Sequence, residues 1–126
     1  MVAQKYSLLM AALISGCCFA NDSLNISIDN HLSKCINIKS TNLQSLNNTP
    51  SLNITYTEVK SIAECGCKSA LASYTSHAVY DDYDSFLIGG KLSFTGKSET
   101  TIPVATAKNL IGNTGLKISF SCAEQD

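Results

Sequence analysis

The sequence predicts a small all-β protein, an antiparallel β-sandwich stapled by disulfides. Three observations carry that expectation: apolar and polar residues alternate with period two after the first twenty positions, Gly, Asn and Pro punctuate the alternating runs, and four cysteines follow an export-like leader. Successive strand side chains point to opposite faces, so each alternating run offers one apolar face to a core and one polar face to water. Ser, Thr and Asn interleaved with Ile, Leu and Phe suit a half-buried antiparallel sheet better than a helix.

The chain opens with Lys5, an apolar run from Tyr6 to Ile14, and the small residues of Gly16-Cys17-Cys18-Phe19-Ala20. That order of charge, short apolar run and small residues is a secretory signal; a bilayer span would need about 20 apolar residues. Two cleavage sites compete. Cutting after Ala20 removes residues 1–20 and leaves residues 21–126 as a single sandwich domain, periplasmic or secreted. The other is a lipobox, Ile14-Ser15-Gly16-Cys17, similar to that of bacterial lipoproteins. The likeness implies a signal ending at residue 16, lipidation of Cys17, and an outer-membrane lipoprotein held at the surface by its acyl chains. Cysteine parity favours the first site, because it leaves Cys35, Cys65, Cys67 and Cys122, whereas the second adds Cys18 as an odd thiol.

Strand candidates follow in order. Leu24-x-Ile26-x-Ile28 alternates with Asn25, Ser27 and Asp29. Ile36-x-Ile38 follows Cys35, Leu52-x-Ile54-x-Tyr56 alternates with Asn53, Thr55 and Thr57, and Leu92-x-Phe94 follows Gly89-Gly90. Leu116-x-Ile118-x-Phe120-x-Cys122 closes the series. Turns are expected at the Asn-rich stretch from Ser45 to Ser51, at the acidic stretch from Tyr80 to Ser85, at Thr95–Ser98 and at Gly112–Gly115, where Gly and Asn tolerate positive φ. Ala63 to Thr75 suits either a strand or a short helix, and Ala105 to Ile111 suits a single helical turn. Six to eight short strands at this spacing resemble immunoglobulin-like domains. The likeness is architectural only, since the chain has no tryptophan to fill the central position of antibody domains.

Charge excludes one class of function. The net charge is −1, and all nine basic residues are lysines, dispersed along the chain. Nucleic-acid binding needs clustered cations to neutralise phosphates, and that footprint is missing.

Cys65-Gly66-Cys67 is the most distinctive motif. In an extended strand the two thiols would face opposite sides, so each would reach a separate partner, Cys35 or Cys122. Two long loops closed in this way contribute roughly 3–4 kcal/mol each in the chain-entropy model, which does not choose between the two crossed pairings. The competing reading is a thiol/disulfide shuttle in which Cys65 and Cys67 bond to each other beside Lys68 while Cys35 and Cys122 pair structurally. Metal capture fits poorly, because zinc sites favour C-x₂₋₄-C spacing and both methionines, Met1 and Met10, lie in the leader. No metal and no cofactor is assigned.

The imidazoles are His31 and His77. A Ser76/His77/Asp81 triad can be written, yet no nucleophile-elbow sequence frames it, and no catalytic residue is assigned. Asp81-Asp82-x-Asp84 lacks the Gly and Glu that continue a calcium loop. With their flanking rings, Tyr80, Asp81, Asp82, Tyr83 and Asp84 read instead as a contact surface, with Phe86 beside them.

Glu64-Cys65-Gly66-Cys67-Lys68-Ser69, with a cysteine near the C-terminus, resembles small exported bacterial envelope proteins of uncharacterised function. The resemblance implies envelope localisation and transfers no functional residue. The expected function is a non-catalytic binding module of the cell envelope, engaging a protein or envelope component and touching a membrane only through Cys17. The alternative is the redox protein built on the Cys-Gly-Cys pair.

Overall fold

A computed structural model describes residues 25–94, 96, 98–111 and 115–125. The leader, both cleavage sites and Cys17 lie outside the described residues, as do Gly112, Asn113 and Thr114 of the last expected turn.

Alternation becomes seven strands: β1 (Asn25–Asn30), β2 (Ile36–Leu46), β3 (Thr49–Glu58), β4 (Ala72–Val79), β5 (Asp84–Leu92), β6 (Glu99–Pro103) and β7 (Gly115–Cys122). They form a four-stranded sheet in the order β1-β7-β4-β5 and a three-stranded sheet in the order β2-β3-β6. The expected all-β sandwich is therefore found, with an immunoglobulin-like division of seven strands into four and three. Its strand order is different, because the first strand lies beside the last. β1 also runs parallel to β7, while the other pairings are antiparallel.

Inward residues alternate as the pattern requires. Leu116, Ile118 and Phe120 of β7 and Leu52, Ile54 and Tyr56 of β3 are buried in one core cluster. Phe94 joins the two sheets: its ring meets Tyr56 edge-on at 4.8 Å and Phe120 at 5.7 Å. Polar ties fix the sheets against each other. The Val104 N–H donates to Pro50 O at 3.0 Å, and the Val104 carbonyl accepts from Ser76 Oγ at 2.7 Å. Tyr74 Oη donates to Pro103 O at 2.8 Å. Pro103 and Val104 thereby tie the start of β3 to the middle of β4.

Three elements differ from the sequence expectation. Leu92 closes β5 rather than opening a strand, and Gly89-Gly90 lies inside that strand. A Cβ at Gly89 would come within 3.0 Å of the Tyr74 carbonyl, so glycine serves close approach of β4 rather than a turn. The ambiguous stretch from Ala63 splits into a 3-10 turn, Ile62–Cys65, and β4. β6 carries a single inward apolar residue, Ile102, and so leaves almost no periodic trace. The helical turn expected between Ala105 and Ile111 is present as a 3-10 turn, Lys108–Leu110.

Candidate functional site

The cysteine motif lies at the end of a 3-10 turn, Ile62–Cys65, and not in an extended strand. Ser61 caps the 3-10 turn, its Oγ accepting from Ala63 N at 3.3 Å, and Gly66 ends it with φ +94°. That left-handed conformation is one a Cβ disfavours. Cys65 and Cys67 therefore diverge because a helical turn stops between them, not because they alternate along a strand. Cys65 bonds to Cys35 and Cys67 to Cys122. The shuttle in which Cys65 and Cys67 bond to each other is thus not the arrangement of the folded protein. A C-x-C ring would be small and strained, whereas the turn aims each sulfur at its own partner.

Among the described residues no cysteine is free. Disulfides persist where thiols are oxidised, so the domain belongs to a non-cytoplasmic type of environment. Cys35 and Cys67 are buried, while Cys65 and Cys122 are half-buried. Around the first bridge, Val59 N and Lys60 N both donate to Cys35 O, at 2.7 and 3.3 Å.

The acidic, tyrosine-rich stretch forms the tip of the β4–β5 hairpin. Tyr80 N donates to Tyr83 O at 2.9 Å, closing a tight turn, and the two rings stack with centroids 4.9 Å apart. All five residues singled out from the sequence, Tyr80, Asp81, Asp82, Tyr83 and Asp84, are thus brought together. Tyr83 is 61% and Phe86 60% exposed, although rings of that size are usually buried. A β-bulge next to Phe86 turns this part of β5, and His77 packs edge-on against the Phe86 ring at 5.6 Å. A groove of about 660 Å³ runs from the tip across the start of β7 to β1, lined by Tyr80, Asp81, Asp84, Lys117, Ser27 and their neighbours. Lys117 Nζ lies 3.8 Å from Asp84 Oδ2, so the groove carries both signs of charge.

Ser76, His77 and Asp81 do not assemble as a triad. Ser76 is fully buried and its hydroxyl is committed to Val104 O, whereas its neighbour His77 points to the opposite face. His31 is exposed and contacts Asp29 at 3.1 Å. Among the described residues no three His, Cys, Asp or Glu side chains converge as metal ligands, and no helix is long and apolar enough to cross a membrane. Two features escaped the sequence reading. One is the extent of the groove, which joins residues far apart in the chain. The other is the set of exposed apolar side chains at Leu46, Val59, Leu71 and Leu110, which period-two patterns do not mark.

No curated protein and no solved structure matches the chain. A family model does, over residues 8–125: the chain belongs to the family described as "Uncharacterized protein conserved in bacteria (DUF2195)".

Proposed function

Proceeding from membership of that bacterial family, we propose that the chain is an exported binding module of the cell envelope. In this reading residues 1–20 direct export, or Cys17 carries a lipid anchor, and the sandwich presents the β4–β5 hairpin to a protein or envelope partner. One observation carries the proposal: Tyr80 lines a groove with charges at Asp84 and Lys117, and the same hairpin holds the rings of Tyr83 and Phe86 out in water. Large rings in water have an unfavourable hydration cost that contact with a partner removes. Aromatic residues dominate the energetics of interfaces because they bury much area with few rotatable bonds.

The test uses a matched control. Val59 is 62% exposed, as much as Tyr83, but follows the end of β3, away from the hairpin. A photo-crosslinking residue at position 83 is expected to trap an envelope component in living cells, and the same residue at position 59 is not. Equal products from both positions would remove the hairpin from consideration as the contact surface. Intact mass of the mature protein distinguishes the two export routes: a chain starting at Asn21 is cleaved and soluble, and one starting at a diacylated Cys17 is anchored.

A further inference from the structure

We propose that Cys35–Cys65 is an exchange-competent disulfide, and that Cys65 is the sulfur attacked by a small anionic thiol. The two bridges share the stretch Cys65-Gly66-Cys67 but differ in what surrounds them. Cys65 lines an open groove of about 370 Å³ together with His31, Lys34, Lys60 and Glu64. Its partner Cys35 is fully buried, so an attacking group reaches the bridge from the Cys65 side. Each bridge sets one cysteine in the core, Cys35 or Cys67, and packs the other against it, and Cys65 in addition lines the groove. Two lysines and one glutamate line the Cys65 groove, while Asp29 is turned onto His31. Lysines beside a sulfur raise the local concentration of thiolate and stabilise the negative charge passing through the exchange.

The incoming thiolate bonds to Cys65 Sγ as the Cys35–Cys65 bond breaks. Its sulfur is oxidised into a mixed disulfide, and Cys35 keeps the electron pair, becoming a thiol by taking a proton from solvent. Cys35 Sγ lies 3.2 Å from the Ser61 carbonyl oxygen, so the new S–H has an acceptor in place. A second thiol of the same class attacks the mixed disulfide at the sulfur of the first, releasing the small-molecule disulfide and leaving Cys65 reduced. Throughout, the Val59 and Lys60 amides hold the segment to Cys35 O, and Cys67–Cys122 still clasps its far side. The opened bridge thus stays beside its partner and can re-form.

Limited reduction of the native protein with glutathione, followed by alkylation and peptide mapping, tests this. Trypsin cuts after Lys34, Lys39, Lys60, Lys68 and Lys117, which puts Cys35, the Cys65/Cys67 pair and Cys122 on three peptides. The expected result is alkylated Cys35 and glutathione on Cys65 with Cys67–Cys122 intact. Cationic cysteamine should open the bridge more slowly than glutathione, by roughly threefold or more once thiolate fraction is corrected. The doubly neutralised Lys34→Gln, Lys60→Gln protein should lose that difference at unchanged melting temperature. Opening of Cys67–Cys122 first or at the same rate would overturn the proposal, as would equal rates for the two thiols on the native protein. Neither result bears on crosslinking at position 83, so this inference and the hairpin reading fail separately.

Discussion

Two buried tyrosines show how the same side chain can be satisfied or stranded. Tyr74 Oη donates to Pro103 O, whereas Tyr56 Oη is buried with no hydrogen-bond partner. An unmade hydrogen bond in the interior is a standing cost, and a made one is worth about 1 kcal/mol. Tyr56→Phe should therefore leave stability unchanged or raise it by up to about 1 kcal/mol, while Tyr74→Phe should lower it by about 1 kcal/mol, both read from urea midpoints. Burial raises the pKa of both hydroxyls above 10.0, with the Glu58 charge adding to the effect at Tyr56. The folded chain then holds these protons more tightly than the unfolded one. Stability should be full below pH 10.0, where both states are protonated, and should fall as the pH climbs past it. Thermal unfolding across that window checks the sign.

At the scale of elements, two turns depend on left-handed backbone. Asn47 and Asn48 have φ of 51° and 66° at the tip of the β2–β3 hairpin, the conformation of the two-residue turn whose twist matches that of its strands. Asparagine tolerates this and a β-branched residue does not. Asn48→Val should cost about 1–2 kcal/mol, while Asn48→Gly should be neutral or stabilising. Gly66 differs in kind. A Cβ there meets nothing within 4 Å, so the objection to a side chain is purely conformational. Gly66→Ala should cost about 1–2 kcal/mol and slow correct pairing of Cys65 and Cys67 on oxidative refolding, as counted by disulfide mapping.

The whole molecule rests on a modest core closed by two bridges. Cys35–Cys65 and Cys67–Cys122 span 30 and 55 residues. In the chain-entropy model these removals of unfolded-state freedom are worth about 3.5 and 4 kcal/mol, a large share of the 5–15 kcal/mol that stabilises a typical domain. The paired substitutions Cys35→Ser/Cys65→Ser and Cys67→Ser/Cys122→Ser should each lower the melting temperature markedly, and full reduction should unfold the protein at 37 °C. Circular dichroism with and without reductant measures both. A folded, fully reduced protein would contradict the dependence on oxidation.

Period and turn chemistry were enough to read the fold class, four of the seven strands, a turn within Ser45–Ser51, of which only Asn47 and Asn48 lie outside strands, and the acidic turn at the hairpin tip. These are local properties: alternation marks a face, and positive φ selects its residues. β6 and the Gly89-Gly90 stretch of β5 were hidden, because their places come from the strands beside them rather than from their own patterns. The hairpin residues could be named because they are contiguous, whereas the groove beneath them could not, since Ser27, Tyr80 and Lys117 meet only when β1 pairs with β7 and β7 with β4. Cysteine identities and parity were likewise written in the chain, but the pairing was not. Both crossed pairings close long loops of comparable entropy; three-dimensional placement of the Ile62–Cys65 turn beside Cys35, and of Cys67 beside the end of β7, chose between them.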